Sequence, residues 1–215
     1  NLLQSDENLP LTLLLFFALG ALGFWAWGRF ADVDSGLRLS VLAWIGVTAG
    51  WLALFLSIFV SLAPNVGFDA GSHLAYVSRL SSGGGIPLAT DGFATYHPPL
   101  FYIAAAALHR LGGEEPGSLM RLVPFLSGLV QIAIAYVLAR RLFPDLRGVA
   151  TLSLLAAGLL PLNLYMSAYL SNEPLHAALT GCVIWLCVEV LLAKGWPARW
   201  LLGLGIALGA ALLTK

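Results

Sequence analysis

Long uncharged apolar runs are the feature that most constrains the fold of this chain. A membrane-spanning helix needs about 20 apolar residues to cross roughly 30 Å of hydrocarbon. Six runs reach or approach this length, at residues 10–28, 38–63, 118–142, 147–168, 174–193 and 198–214. The sequence therefore predicts an all-α, polytopic membrane helix bundle with about six spanning helices, together with interfacial helices on the non-cytoplasmic side.

Composition and charge exclude several classes of protein. The chain is 59% hydrophobic and 10% charged, whereas an ordinary soluble domain carries about 25% charge, so a soluble enzyme is excluded. Eleven Lys and Arg balance eleven Asp and Glu, which leaves no basic stripe for nucleic acid. Cys182 and Cys187 lie in an apolar run without other ligands at metal-binding spacing, so neither a zinc site nor a disulfide framework is predicted.

A seventh apolar stretch, residues 98–111, begins with two prolines and is too short to cross comfortably. Cytoplasmic loops should hold the excess of Lys and Arg. If this stretch does not span, the short basic loops all fall on one face; their residues are Arg29, Arg38, Arg140, Arg141, Arg147, Lys194 and Arg199. The charge distribution therefore favours a non-spanning helix, with residues 64–117 and the loop at residues 171–173 on the opposite, non-cytoplasmic face.

The order of the apolar segments predicts that the chain is divided into two regions. Residues 1–37 form an extra N-terminal spanning helix and a cytoplasmic loop, and residues 38–215 form one membrane core. The chain begins without a methionine and stops directly after an apolar run. We therefore expect a piece of a longer protein, whose core is truncated at its C-terminus.

Asp69 is the first candidate functional residue on the non-cytoplasmic side. It precedes residues 71–80, which include His73 and have the pattern of a short interfacial helix. Two interpretations are open. The aspartate caps this helix, or it is a desolvated carboxylate at the mouth of an apolar bundle and hence a functional-site candidate.

His97 and Glu173 also precede or begin helices on this side. His97 stands before the two prolines of the short apolar helix, and Glu173 starts a spanning helix with Pro174 in its first turn. His97 either bonds a loop carbonyl or contacts an anion at a helix N-terminus. For Glu173 the alternative is capping and dipole stabilisation. Two acids and a histidine on one side of the membrane together favour a shared site.

The ordered set of these elements resembles the GT-C superfamily of polyprenyl-phosphate-sugar glycosyltransferases, near the aminoarabinose transferases and protein O-mannosyltransferases. The matching elements are Asp69, His97-Pro98-Pro99-Leu100, Arg121, Arg140-Arg141-Leu142-Phe143, Glu173-Pro174-Leu175 and Thr214-Lys215. The sequence departs from the family pattern at two positions. Ala70 replaces a frequent second acid, and Tyr96 replaces a Glu that aminoarabinose-transferase-like members associate with metal.

The resemblance implies an integral membrane enzyme, in the bacterial inner membrane, that moves a sugar from a polyprenyl-phosphate carrier to an acceptor hydroxyl at the non-cytoplasmic face with inversion. Asp69 would be the general base, and Glu173 would orient the acceptor or hold the base. His73, His97, Arg121 and Lys215 would bind the substrate, the last three at the carrier phosphate.

The same resemblance implies the partners. These are the lipid-linked sugar donor and membrane lipids, with an unidentified acceptor. Nucleic acid is excluded by the charge balance given above, and a larger membrane complex is left open as a partner. No cofactor is implied with certainty, and a bound divalent metal is doubtful because of Tyr96.

Two other functions stay open. The chain could be a non-catalytic subunit or scaffold of a larger membrane complex, in which the acids only cap helices. A transporter would instead require ionisable groups near mid-membrane or broken helices in paired halves. Glu189 is the one acid well inside a predicted helix, and it lies near the cytoplasmic end.

Overall fold

The computed structural model of the chain describes residues 35–112, 118–193, 195 and 198–215. The helices are α1 (Ser35–Ser61), α2 (Ala70–Ser81), α3 (Leu100–Gly112), α4 (Leu122–Leu142), α5 (Arg147–Gly158), α6 (Pro161–Ala168), α7 (Glu173–Leu192) and α8 (Ala198–Leu212). A 3-10 turn, Leu119–Arg121, leads directly into α4. No strand occurs within these ranges, and the predicted all-α membrane fold is confirmed.

Within the part of the chain that the structure describes, three helices are long and apolar enough to cross a membrane: Arg38–Ser61, Leu119–Leu142 and Glu173–Leu192. Helices α5 and α6 qualify together as a fourth span, bent by 54° between them. Helices α3 and α8 are apolar but shorter. Three to four spans are therefore found by length and composition among the described residues, and the predicted count of about six is not confirmed. The predicted span at residues 10–28 lies outside the described residues.

Pro161 explains why the predicted run 147–168 is two helices. Proline has no N–H to continue the hydrogen-bond ladder, and its ring clashes with the preceding turn, so it starts a helix instead. Helix α5 closes with Leu159 N donating to Leu155 O at 2.8 Å. The side-chain amide of Asn163 then donates to the carbonyl of Ala157 at 3.2 Å. This bond serves a carbonyl near the end of α5 where the bend interrupts the ladder.

Helices α1, α4 and α5 enclose one apolar core. Its buried members are Val47, Trp51, Phe55, Phe125, Ile132 and Leu154. The indole N–H of Trp51 donates to Gly158 O at 2.7 Å. A Cβ at Gly128 would lie 2.3 Å from the Trp51 ring, so only glycine lets α4 approach this closely.

A second apolar core joins α2, α3 and the 3-10 turn. It contains the aromatic residues Tyr76, Phe101 and Tyr102 together with Met120 and Leu170. Helix α3 has 13 residues, as expected for an apolar stretch that is too short to cross. His73 contacts Tyr102 near the starts of α2 and α3, and Arg110 donates to the carbonyls of Leu80 and Ser81 near their ends, so the N-termini of the two helices lie on the same side of this core.

Hydrogen bonds connect the end of the chain to the starts of α3 and α7. Leu100 N donates to Leu213 O at 2.9 Å. The buried amide of Asn172 donates to Thr214 O at 3.3 Å. These two bonds bring Lys215, the residue that follows, to the place where α3 and α7 begin.

Candidate functional site

Five polar residues come together where three helices begin and the last one ends. Asp69 precedes α2, His97 precedes α3, Glu173 begins α7, and Lys215 follows α8, with His73 in the first turn of α2. The charges of Asp69, Glu173 and Lys215 each act on the pKa of both His73 and His97. We call these five residues the His73 cluster.

Asp69 is the acid of the cluster with the most unusual backbone. Its φ is 54°, which makes it the one non-glycine residue of the described part with positive φ. A left-handed conformation is uncommon for a residue other than glycine, although Asp and Asn adopt it more readily than most, and such residues cluster at functional sites. The side chain is exposed, so the expected desolvation of this carboxylate is not found, and it makes no capping hydrogen bond to α2. Helix capping therefore does not account for this carboxylate.

His73 is held in the interior of the cluster. It is 5% exposed, and its Nδ1 lies 2.8 Å from the hydroxyl of Tyr102. The ring centroids of His73 and His97 are 6.0 Å apart. Burial, reinforced by His97, lowers the pKa of His73 to about 4, against the opposing effect of Asp69 and Glu173. The imidazole is therefore neutral at physiological pH.

His97 lies in the segment that leads into α3. Its ring centroid is 4.1 Å from that of Tyr96, and its backbone N–H donates to Ala94 O at 3.2 Å. Burial lowers the pKa of His97, and Lys215 lowers it further. A neutral imidazole still offers one N–H donor, so His97 can contact an anion without carrying charge.

Glu173 and Lys215 form the ion pair of the cluster, in which the lysine ammonium donates to Oε1 of the glutamate. The backbone N–H of Glu173 donates to Ser171 Oγ at 3.2 Å. A carboxylate in the first turn of a helix is stabilised by the positive end of the helix dipole. The pair leaves a cation and an anion side by side at the edge of the site.

The structure does not bring Arg121 into the cluster. Its side chain is fully buried, and its two terminal nitrogens donate to the carbonyls of Ile58 and Ala63 at the end of α1. It is also not among the charges that act on His73 or His97. These contacts support a structural role at the end of α1, and the expected phosphate contact stays a prediction.

Sequence reasoning missed the two tyrosines beneath the cluster. Tyr76 and Tyr102 stack with ring centroids 3.8 Å apart, and Tyr102 bonds His73. Tyr76 could have been found from the sequence, because it follows His73 by three residues and residues three apart share a helix face. In the part of the chain that the structure describes, no group of three or more His, Cys, Asp or Glu residues is arranged to hold a metal ion.

Comparison with known protein families gives one match. The family described as dolichyl-phosphate-mannose-protein mannosyltransferase matches residues 96–215, more than half of the chain. The matched region includes His97, Glu173 and Lys215, whereas Asp69 and His73 precede it. No curated protein and no solved structure matches the chain significantly. The family is one of GT-C-type membrane glycosyltransferases, and it uses polyprenyl-phosphate-linked sugar donors. The chain therefore belongs to the dolichyl-phosphate-mannose-protein mannosyltransferase family, as an integral membrane protein.

Proposed function

We propose that this protein transfers a sugar from a polyprenyl-phosphate carrier to an acceptor hydroxyl at the non-cytoplasmic face of the membrane, with inversion at the anomeric carbon. The observation that supports this reaction is the His73 cluster. It combines an exposed, uncapped carboxylate at Asp69 with a lysine and two neutral histidines. A base and a set of phosphate ligands are the two requirements of such a transfer.

Asp69 is the proposed general base. As the acceptor oxygen forms its bond to the anomeric carbon, the hydroxyl proton passes to the Asp69 carboxylate. The bond from the anomeric carbon to the phosphate oxygen breaks on the opposite side, and its electron pair stays on the phosphate. Attack opposite the leaving group inverts the configuration. A carboxylate that neither caps its helix nor lies buried is free to meet a hydroxyl that enters from water.

His97 and Lys215 are the proposed ligands of the carrier phosphate. Polyprenyl phosphate is a good leaving group and needs no general acid, so the rate should depend on stabilising its developing charge. Lys215 supplies a cation, and His97 supplies a neutral N–H donor near the start of α3, where a helix N-terminus favours an anion. Arg121 could join them only by giving up its carbonyl contacts at the end of α1.

Glu173 is proposed to orient the acceptor or to hold the base. Its ion pair with Lys215 also gives the lysine a partner before the donor arrives. When a phosphate takes over the lysine, Glu173 is freed to accept a hydrogen bond from the acceptor. This exchange would couple donor binding to acceptor positioning.

The proposed orientation follows from the two ends of α7. Arg141 pairs with Glu189 at 2.9 Å, which sets the basic turn after α4 beside the C-terminal end of α7. The His73 cluster includes the first residue of the same helix. Since basic turns favour the cytoplasm, the cluster belongs on the opposite face. By the resemblance to bacterial relatives, this face is the outer side of the inner membrane.

Transfer by the full-length protein in proteoliposomes tests the proposal. Polyprenyl-phosphate-linked mannose is the first donor to try, because the family description names mannose, followed by a panel of other polyprenyl-phosphate sugars. We expect release of polyprenyl phosphate and a product of inverted anomeric configuration, measured by NMR. Retained configuration would contradict the mechanism. Absence of transfer from every donor of the panel would contradict the enzyme and favour a scaffold.

A further inference from the structure

Two stacked tyrosines beneath the site differ in one contact. Tyr76 and Tyr102 are both almost fully buried, and their rings lie 16° from parallel. The hydroxyl of Tyr102 lies 2.8 Å from Nδ1 of His73. The buried hydroxyl of Tyr76 has no hydrogen-bond partner among the described residues. The two tyrosines can therefore be compared directly, because the hydroxyl of Tyr102 contacts a residue of the His73 cluster and the hydroxyl of Tyr76 does not.

The burial of Tyr102 decides which group donates in its bond to His73. Burial, with a further contribution from Tyr76, raises the pKa of Tyr102, so the phenol keeps its proton. If Nδ1 carried a proton and donated, the phenol hydrogen would remain in the apolar core without this acceptor, which is costly. If the phenol donates, the imidazole proton lies on Nε2, across the ring from Tyr102. Because His73 is 5% exposed and Tyr102 0%, the remaining donor is better placed on His73.

The surroundings of His73 also favour a neutral ring with an outward N–H. Four charged or titratable groups act on it electrostatically: Asp69, His97, Glu173 and Lys215. Burial, His97 and Lys215 disfavour a charged ring, against Asp69 and Glu173. Since Nδ1 is bonded to Tyr102, Nε2 is the nitrogen left to carry an N–H away from the phenol.

We infer that Tyr102 is a positioning residue that fixes His73 as the neutral Nε2–H tautomer and so presents one N–H donor to the phosphate of the lipid-linked sugar. The phosphate contact rests on the proposed function, whereas the tautomer does not. The hydroxyl of Tyr102 acts through His73 and touches no substrate.

The tautomer is tested by NMR on the full-length protein labelled with ¹⁵N-histidine. His73→Gln identifies the His73 signals among the four histidines of the chain. We expect an unprotonated Nδ1 and a protonated Nε2 in the wild type and in Tyr76→Phe, and a mixture of tautomers in Tyr102→Phe. Protonated Nδ1 in the wild type, or an unchanged spectrum in Tyr102→Phe, would overturn the inference. The wild-type spectrum alone keeps the test decisive if a variant does not fold.

The phosphate contact is tested by donor kinetics with the same matched pair of variants. Losing a hydrogen bond that orients the donor group should lower kcat/KM for the lipid-linked sugar about three- to tenfold in Tyr102→Phe, mainly through a higher donor KM. Tyr76→Phe, which removes a hydroxyl without such a contact, should stay within about twofold of the wild type. A fall in kcat at unchanged donor KM would overturn the assignment to phosphate. An inactive wild type with the expected tautomer would instead reject the proposed transfer and leave the Tyr102–His73 assignment standing.

Discussion

The two ends of α7 each carry a glutamate paired with a basic residue, and their surroundings differ. Glu189 bonds Arg141 at 2.9 Å near the C-terminal end, and the neighbouring Arg140 lies over the ring of Tyr136. Glu173 bonds Lys215 at the N-terminal end, within electrostatic range of the buried His73 and the half-buried His97. An ion pair alone ties helices together. An ion pair that lies beside the starts of several helices and acts on two histidines can also take part in binding or catalysis.

The largest expected effect on sugar transfer comes from removing the proposed base, Asp69, and it is compared with the loss of another aspartate, Asp91. In Asp69→Asn, sugar transfer should fall by at least about 100-fold, because the amide cannot accept the proton that a general base removes. Asparagine tolerates the left-handed backbone of this position, so the fold should survive. Binding of the lipid-linked donor should stay close to wild type. Both quantities are measured on the full-length protein in proteoliposomes.

Asp91→Asn is the matched control for this substitution. Asp91 pairs with Arg79 at 2.9 Å at a partly exposed position and is not among the charges that act on His73. Its loss should leave transfer within about twofold of the wild type, as expected for an exposed ion pair. Normal transfer by Asp69→Asn, or equal losses in both variants, would end the assignment of Asp69 as the base.

The next effect compares the two glutamates of α7 directly. Glu173→Gln should lower transfer about tenfold or more, since hydrogen bonds to charged groups contribute about 1.5–3 kcal/mol. Glu189→Gln loses only the pair with Arg141, and its effect on transfer should be about twofold or less. Turnover at saturating donor, with expression level as the check on folding, measures both. Similar losses in the two variants would show that the two ends of α7 do not differ in function.

A smaller effect should separate donor binding from proton transfer within the cluster. His97→Ala should weaken donor binding and lower turnover, each several-fold, because a phosphate contact acts in the ground state and in the transition state. Titration with fluorescent lipid-linked donor gives the first quantity, and initial rates give the second. The contrast with Asp69→Asn, which keeps its binding, is the decisive comparison. Unchanged donor affinity in His97→Ala would remove this histidine from the phosphate site.

Much of the fold could be predicted from the sequence because membrane helices depend on the length of apolar runs. The predicted runs 38–63, 118–142 and 174–193 correspond to the three spans found by length and composition. The sequence predicts one helix over the run 147–168, whereas in the structure Pro161 ends the hydrogen-bond ladder within this run. Apolar content alone cannot show such a break, because a bent pair buries its side chains as well as a straight helix does.

Part of the site could be predicted from the sequence, because some of its residues stand at helix starts on one predicted side of the membrane. Charge counting put Asp69, His97 and Glu173 on one face, and the structure brings them into one cluster. The partners of Arg121 and the contact of Tyr102 with His73 were not predictable, because they join residues 58 and 29 positions apart. Such contacts depend on how α1, α2 and α3 pack, which no local pattern specifies.

The smallest expected effect is on the pH dependence of folding stability. Its direction follows from the lowered pKa of His73. In the unfolded chain a histidine has a pKa of about 6.5, whereas burial lowers the pKa of the folded-state His73 to about 4. Between these values the unfolded chain binds more protons, so stability rises with pH and is lost as pH falls below 6.5. At pH 5 this loss amounts to about 2 kcal/mol for His73.

The apparent Tm of the purified protein in detergent, recorded at pH 7.5 and at pH 5, measures this loss. An effect of this size should lower the apparent Tm of the wild type by roughly 5 °C, and His97, whose pKa is shifted in the same direction, should add to the drop. His73→Gln removes the titrating group while keeping a polar side chain, so its drop should be clearly smaller than that of the wild type. The Glu189–Arg141 end of α7 contributes no histidine to this effect, and Glu189→Gln should keep the full wild-type drop. Equal drops in His73→Gln and the wild type would mean that His73 is not held neutral by burial. The two ends of α7 would then no longer differ in how they respond to acid through this residue.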